Sequence, residues 1–333
     1  MTFQLALIGA GRIGTVHAKA IAGNPQAKLV AIFDPIAKAA DTLATLHACP
    51  VRSVEEIEQD ATIDGVIICT PTDTHADYIE RFARAEKKIF CEKPVDLSVD
   101  RVRACLKVVQ DTGAFLMIGF NRRFDPSFAA VRNAIDDGSV GQVELVQITS
   151  RDPEAPPRSY GERAGGMLRD MTIHDFDIAR HLLGEEVESV SAHASAITGQ
   201  GVEEIGDIDT ATIILETASG KQAVITNSRR TTYGYDQRME VHGSGGMAQA
   251  KNMREHNAEI LDGRGTTLAP IEDFFMTRYI EAFSRIIEQF VERASAGGTP
   301  SPSGADGLAA LLLAEAAYLS IAERRRVAIS EVS

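Results

Sequence analysis

The sequence predicts an α/β protein with two domains, the first built on a parallel sheet and the second on an open, mostly antiparallel sheet. Three observations support this. Continuous apolar runs alternate with helical patterns over the first third of the chain, and a glycine-rich turn follows the first run. From about residue 143 the runs become short and alternate apolar with polar residues. With 333 residues and 44% hydrophobic composition, the chain can bury two such cores.

The first apolar run, "FQLALIGAGRIG" at 3–14, leads directly into Gly9-x-Gly11-x-x-Gly14. A helical pattern follows, and a second strand over 28–35 ends at Asp34. In this setting the glycines permit a tight turn, close approach of a pyrophosphate, and close helix–strand packing. We therefore predict a Rossmann dinucleotide-binding domain. Asp34 would accept hydrogen bonds from a ribose diol and repel the 2′-phosphate of NADP, so the expected cofactor is NAD.

Three more apolar strands, within 64–78, 87–100 and 113–126, complete the predicted parallel sheet. Ligands bind at the carboxyl ends of such strands. Lys93 follows one of them, where its ammonium could hydrogen-bond the oxygen of a reacting alcohol or carbonyl. We expect the cofactor to be bound by Gly9, Gly11, Arg12, Ile13, Gly14, Asp34, Thr70, Thr72, His75, Glu92 and Lys93.

The stretch "GGMLRDMTIHDFDIARHLLG" at 165–184 predicts one helix with Asp170, His174, Asp177 and His181 on a polar stripe. An aspartate four residues before a histidine can hydrogen-bond the imidazole and make it a stronger base, which the oxidation of an alcohol requires. Two alternatives stay open from the spacing. The same groups suit a metal ion, and they could be polar residues with a purely structural role.

The remaining chain predicts the second domain. Short alternating strands fill 142–252, with a hairpin at 218–221, and helices span 273–294 and 304–323. One face of this sheet is expected to associate with other copies through residues such as Val224, Ile225 and Ile214, giving a homotetramer built through 143–250. We place the domains at 1–120 and 121–333, with the last helix able to pack back on the first domain.

Composition narrows the classes of function. A formal net charge of −13, a pI near 5.1 and the lack of a long basic tract argue against nucleic acid and anionic membranes as partners. The longest apolar stretch, 308–322, contains Glu315 and predicts a buried helix. Cys49, Cys69, Cys91 and Cys105 lack metal-binding spacing and are typical of reduced thiols. These features predict a cytoplasmic protein with a small-molecule substrate and no metal.

The motifs "GAGRIG", "CTPTDTHADYIE", "FCEKP", "GFNRRFDP", "RDMTIHDFD" and "YGYDQRMEVHG" together resemble the Gfo/Idh/MocA oxidoreductase family, and within it the inositol dehydrogenases. The resemblance covers nearly the whole chain. It implies a Rossmann domain followed by an α/β domain used for tetramer formation. It also implies a catalytic set of Lys93, Asp170 and His174, with His174 as the base. The substrate contacts that it implies are Asn121, Arg122, Thr172, Asp177 and Tyr235.

The function implied by this resemblance is NAD-dependent oxidation of a secondary hydroxyl of a cyclic polyol. The first expectation is oxidation of myo-inositol to 2-keto-myo-inositol (scyllo-inosose), in inositol catabolism. The alternatives are scyllo-inositol or an aldose as substrate, a non-catalytic NAD-binding regulator, and a metal-dependent isomerase or lyase.

Overall fold

The computed structural model describes residues 2–333, apart from the side chain of Glu162. The chain divides into two compact units. The first comprises Met1–Phe124 and Glu281–Leu311, and the second comprises Asp125–Ile280 and Leu312–Ser333.

The first unit contains a five-stranded sheet in the order β2-β1-β3-β4-β5, and every pair of neighbours is parallel. The predicted parallel sheet is confirmed. Its strands are almost entirely buried, which is why they appear in the sequence as continuous apolar runs. The elements in chain order are β1 (Phe3–Ile8), α1 (Arg12–Gly23), β2 (Ala27–Phe33), α2 (Ala37–Leu46), α3 (Val54–Gln59), β3 (Gly65–Ile68), α4 (His75–Arg84), β4 (Lys88–Cys91), α5 (Val99–Thr112) and β5 (Leu116–Ile118).

The second unit contains a seven-stranded sheet in the order β11-β10-β6-β9-β8-β7-β14. Only β6 and β9 are parallel neighbours in it, so the predicted mostly antiparallel sheet is confirmed. The elements that follow β5 are α6 (Pro126–Asp136), β6 (Val143–Arg151), α7 (Arg158–Ala164), α8 (Met167–Asp170), α9 (Ile173–Leu183), β7 (Val187–Ser195), β8 (Thr210–Thr217), β9 (Gln222–Ser228), β10 (Asp236–Gly243), β11 (Gly246–Ala250), the hairpin β12 (Glu259–Asp262) and β13 (Gly265–Leu268), α10 (Phe275–Arg278), α11 (Ile280–Ser295), α12 (Gly304–Glu323) and β14 (Val327–Ala328).

The two faces of the second sheet differ in their burial. Ile213 and Ile225 are paired neighbours and fully buried, whereas Ile214, paired with Val224, is 43% exposed. The prediction that Val224, Ile225 and Ile214 share an open face is therefore wrong for Ile225. Successive residues of a strand point to opposite faces, so Val224 and Ile225 cannot lie on the same one.

Two predicted helices are interrupted. The stretch 165–184 forms α8 and α9 rather than one helix, because the Thr172 N–H donates to the Met167 carbonyl five residues back and breaks the regular ladder. The stretch 273–294 forms α10 and α11, which are separated at Tyr279. The hairpin of β12 and β13 and the edge strand β14 are findings of the structure that the sequence patterns did not predict.

The C-terminal helices complete both units. Ile286 and Phe290 of α11 lie in the same hydrophobic core as Leu5 and Phe90 of the first unit. In the described part of the chain, α12 is the one helix long and apolar enough to cross a membrane by length and composition. The fold nevertheless buries part of it, including Leu311 and Leu313.

Candidate functional site

The glycine turn after β1 is tightly packed at two of its three glycines. Gly9 has φ +103°, and a Cβ there would lie 2.7 Å from the Cys69 carbonyl group. A Cβ on Gly14 would lie 2.1 Å from the Gly9 carbonyl oxygen, so α1 can approach the turn only because Gly14 has no side chain.

Gly11 differs because a Cβ there would meet nothing within 4 Å. It precedes α1, in which Arg12 is exposed and Ile13 is half-buried. No side chain caps the start of this helix. The uncapped amides and the open space beside Gly11 fit a pyrophosphate.

Asp34 follows β2 and lies close to the glycine turn. Its carboxylate accepts hydrogen bonds from the backbone N–H of Ala10 at 2.7 Å and of Ile36 at 2.8 Å. These contacts fix the carboxylate and leave each oxygen a further lone pair. A ribose diol could donate to those positions, so the residues here fit an adenosine ribose.

The ends of β3 and β4 are joined by His75. Its Nε2 lies 2.7 Å from the Thr70 carbonyl oxygen, and its Nδ1 lies 2.7 Å from the Pro94 carbonyl oxygen. The imidazole is buried, and this burial lowers its pKa. Its ring nitrogens contact these two loops, and the predicted contact of His75 with the cofactor stays a prediction. Half-buried Thr72 begins a short 3₁₀ turn over Thr72–Thr74.

A buried His17–Glu92 pair lies beside Lys93. His17 Nε2 is 2.5 Å from Glu92 Oε1, and the other carboxylate oxygen is 3.3 Å from the Lys93 backbone nitrogen. A Cβ on Gly119 would lie 2.9 Å from the Glu92 carboxyl group, so this glycine leaves room for it. Sequence reasoning missed His17. The apolar stripe of α1 could have indicated it, because His17 lies one residue before buried Ala18 and four before buried Ile21.

Asn121 and Arg122 begin a 3₁₀ turn after β5, and both are buried. The next residue, Arg123, donates to Asp306 of α12 at 3.0 Å. The turn that carries the two predicted substrate contacts is therefore tied to the helical part of the first unit.

In the second unit, the start of α8 is held by residues distant in the sequence. Gly166 has φ +84°, and a Cβ there would lie 2.3 Å from the Tyr318 hydroxyl. The Met167 N–H donates to Asp207 at 2.9 Å, and the Leu168 N–H donates to the Tyr318 hydroxyl at 3.2 Å. Burial raises the pKa of Tyr318 to about 12, so the phenol stays protonated.

Asp170 ends α8 and is held at both carboxylate oxygens. Tyr160 of α7 donates its hydroxyl to Oδ1 at 2.9 Å, and Arg229 Nη2 lies 3.4 Å from Oδ2. Both contacts favour the ionised carboxylate. His174 lies in the first turn of α9 and is half-buried. The predicted Asp170–His174 hydrogen bond stays a prediction, as does the grouping of Lys93 with these two residues.

A buried polar network anchors the junction of α8 and α9 to the sheet. Thr172 donates to Asn227 Oδ1 at 2.8 Å, and Asn227 donates to Asp175 Oδ2 at 2.8 Å. Ser150 donates to Asp175 Oδ1 at 2.6 Å and contacts Gln237 at 2.8 Å. Ser150 is the register partner of both Asn227 and Gln237, so this network occupies one row of the sheet.

Sequence reasoning missed Asp175, Asn227 and Arg229. For Asn227 and Arg229 the signal was the period-two pattern of β9, in which Ala223, Ile225 and Asn227 are buried and Arg229 continues the same face. Of the predicted substrate contacts here, Asp177 and Tyr235 are both buried. Within residues 2–333 no group of three His, Cys, Asp or Glu side chains could hold a metal ion.

Two family models match the chain. The oxidoreductase family with an NAD-binding Rossmann fold matches residues 3–120, and the GFO/IDH/MocA C-terminal domain matches residues 128–249. The chain belongs to the Gfo/Idh/MocA family of oxidoreductases. The predicted family, enzyme class and NAD cofactor are confirmed by this membership.

Relatives within the Gfo/Idh/MocA family span the full chain. A protein of Rhizobium meliloti (strain 1021) named inositol 2-dehydrogenase is 60% identical over 330 residues, which cover 99% of this chain and 100% of the relative. The crystal structure of a myo-inositol dehydrogenase from Corynebacterium glutamicum ATCC 13032 is 39% identical with a TM-score of 0.95, covering 98% and 99% of the two chains. That of scyllo-inositol dehydrogenase from Lactobacillus casei, with bound NAD(H) and scyllo-inositol, is 26% identical with a TM-score of 0.91, covering 99% and 100%.

Proposed function

We propose that this chain is an inositol 2-dehydrogenase that oxidises myo-inositol to 2-keto-myo-inositol in inositol catabolism. The observation that carries the proposal is the 60% identity, over 99% of the chain, to a protein named inositol 2-dehydrogenase. Residues 1–120 would bind the cofactor, and residues 121–333 would bind the substrate and form the oligomer.

NAD, when bound, supplies the acceptor for the hydride that leaves the substrate carbon. The residues proposed to hold it are those of the glycine turn, Asp34, and the loops after β3 and β4. The open space at Gly11, the uncapped start of α1 and the carboxylate of Asp34 support this assignment. His75 would contribute by holding the loops of Thr70 and Pro94 through its two ring nitrogens.

The chain's own chemistry is proton transfer. Oxidation of a secondary alcohol to a ketone removes one hydride from carbon and one proton from oxygen. We assign the proton to His174, because a neutral imidazole accepts it near neutral pH. Asp170 would orient the ring and stabilise the imidazolium that forms, and its contacts to Tyr160 and Arg229 support an ionised, fixed carboxylate. The Lys93 ammonium would hydrogen-bond the reacting oxygen.

The other ring hydroxyls would be recognised by the predicted set of Asn121, Arg122, Thr172, Asp177 and Tyr235. All five are buried, which suits contacts that discriminate between stereoisomers because an unmatched polar group there would lose its partner. Thr172 already donates its proton to Asn227, so its hydroxyl would act toward substrate as an acceptor.

The experiment that tests the substrate is a panel assay of NADH formation with the purified full chain. myo-Inositol, scyllo-inositol and glucose are each supplied with NAD and with NADP. We expect the highest kcat/KM with myo-inositol and NAD. A higher kcat/KM with scyllo-inositol would favour the alternative that the Lactobacillus casei relative supports, and a preference for glucose would make the enzyme an aldose dehydrogenase.

We also propose a cytoplasmic homotetramer that associates through the open face of the second sheet. Ile214 is 43% exposed and pairs with Val224 on the next strand. The same row of cross-strand neighbours continues through Gln147 to Glu240. Light scattering at micromolar concentration should give the mass of a tetramer for the wild type. Ile214→Arg should lower that mass, whereas Ile36→Arg, at an exposed position in the first unit, should not. A monomeric wild type would contradict the proposal.

A further inference from the structure

Arg229 is a buried cation. It follows β9 and continues the buried face of that strand, and its side chain is 2% exposed. A guanidinium removed from water needs a negative partner, because an uncompensated buried charge is strongly destabilising. Arg229 is followed directly by a second arginine, Arg230, which is exposed.

The backbone of Arg229 is held from two sides. Its N–H donates to the Asp209 carbonyl at 2.8 Å, and its carbonyl accepts from the Gln200 side chain at 2.7 Å. Asp209 is itself buried and bound to the backbone of Ile197 and Thr198. The guanidinium therefore projects from a fixed point toward Asp170.

The contact that Arg229 makes is unlike a structural ion pair nearby. Arg169 and Glu315 form two short hydrogen bonds, at 2.6 and 2.8 Å, through Nε and Nη2. Arg229 instead approaches Asp170 through Nη2 at 3.4 Å, and its buried Nε has no hydrogen-bond partner among residues 2–333. This geometry places a positive charge beside the Asp170 carboxylate through one longer contact rather than through a short bidentate pair.

We propose that Arg229 is a positioning residue for Asp170, which keeps this carboxylate ionised and oriented toward its catalytic partner. The inference rests on the proposed function, because it takes its consequence from the role assigned to Asp170. Arg229 supplies the charge from one side, and Tyr160 supplies a neutral hydrogen bond from the other.

The test compares Arg229→Gln, Arg229→Lys and the control Arg230→Gln in the full chain. Arg230 is the exposed neighbour, and its guanidinium donates to the Thr198 carbonyl instead. We expect Arg229→Gln to lower kcat with myo-inositol about 10–100-fold, comparable to the loss on removing a group that orients a metal ligand. The KM for NAD should stay close to that of the wild type, because the proposed cofactor residues lie in the first unit. Arg229→Lys restores the positive charge, so its kcat should be at least about tenfold higher than that of Arg229→Gln. The kcat of Arg230→Gln should stay close to that of the wild type.

Asp170→Asn, alone and combined with each Arg229 variant, separates this inference from the proposed function. If Asp170→Asn keeps nearly normal kcat, the catalytic role proposed for Asp170 is wrong. If that variant is impaired, each Arg229 substitution should add less than about threefold to it, because Arg229 acts through Asp170. The inference is overturned if an Arg229 substitution lowers kcat by the same factor in the wild-type and Asp170→Asn backgrounds. It is also overturned if Arg229→Lys has a kcat no higher than that of Arg229→Gln. If Arg229→Gln does not fold, the kcat of Arg229→Lys is compared in the wild-type and Asp170→Asn backgrounds, and this comparison tests the inference in the same way.

Discussion

The cofactor region and the candidate catalytic region are built in different ways. Gly9, Gly11, Gly14 and Asp34 lie within 26 residues of chain and act through backbone geometry, open space and one carboxylate. Asp170 is instead held by side chains from distant elements, including Arg229, 59 residues away. The first region is a local motif, and the second is a network that exists only after the sheet has formed. Substitutions should therefore act locally on NAD in the first region and spread through the fold in the second.

The largest effect on turnover is expected at His174. If it is the base, His174→Ala should lower kcat by about 10²–10⁴-fold, since no other group would accept the hydroxyl proton. NADH formation with saturating myo-inositol measures this. NAD binding by the same variant, followed by fluorescence, should be unchanged. Turnover close to the wild type would remove His174 from this role.

Two glycines separated by three positions should differ in their effect on stability, although substitution of either should impair NAD binding. Gly14→Ala places a Cβ 2.1 Å from a backbone oxygen, so we expect a thermal midpoint lower by several degrees and loss of NAD binding. Gly11→Ala meets no atom within 4 Å and should leave the midpoint unchanged. It should still weaken NAD binding, because the methyl group occupies the space proposed for the pyrophosphate. Equal NAD affinity of Gly11→Ala and wild type would argue against that placement.

Asp175 tests whether the network in the second unit behaves as a connected whole. Asp175→Asn turns one acceptor into a donor that faces Ser150 or Asn227, both of which donate to it. The free energy of unfolding should fall by about 1–3 kcal/mol, the cost of an unsatisfied buried group, and kcat should fall with it. Urea denaturation measures the free energy of unfolding, and NADH formation measures kcat. Asp41→Asn, at an exposed position of α2, is the control and should change neither.

Asp34 should act mainly on the choice between NAD and NADP. One charge pair at 4 Å is worth about 4 kcal/mol at an effective dielectric constant near 20, before screening. Even a third of that energy corresponds to a roughly tenfold difference in affinity between the two cofactors. The kcat/KM should therefore clearly favour NAD over NADP. Asp34→Ser should narrow the ratio, mainly by weakening NAD and relieving the repulsion of NADP. Equal use of both cofactors by the wild type would contradict the assignment of Asp34 to the ribose.

The smallest effect concerns acid stability at Asp209. Burial alone would raise its pKa, but hydrogen bonds from Thr198, Ile197 and Thr210 outweigh burial and lower it. A carboxyl with a lowered pKa stabilises the fold above its unfolded pKa of about 3.9 and loses this contribution as the pH falls through its folded pKa. Wild type should therefore be more stable than Asp209→Asn at pH 7, and the difference should shrink toward pH 3. A difference that is constant with pH would contradict this.

The sequence predicted the parallel sheet, the second sheet and the glycine turn because each depends on residues close together in the chain. Continuous apolar strands and the period-two pattern after residue 143 are local signals of burial. The break between α8 and α9 was not predictable from spacing, because it depends on the backbone at Thr172, whose N–H donates to the Met167 carbonyl. The buried roles of Asp175 and Arg229 were likewise missed, since composition alone favours an exposed location for charged residues.

The first unit is discontinuous along the chain, and this affects how it can be made. Ile286, Ile287 and Phe290 complete a core whose other members include Leu5 and Phe90, yet more than 150 residues separate the two segments. At a synthesis rate of about 5–20 residues per second, the ribosome reaches α11 on the order of ten seconds after releasing residue 124. During that interval the nascent first unit lacks the apolar residues that complete its core. A fragment ending at residue 120 would lack these residues, so a single cut there would leave the core of the NAD-binding unit incomplete.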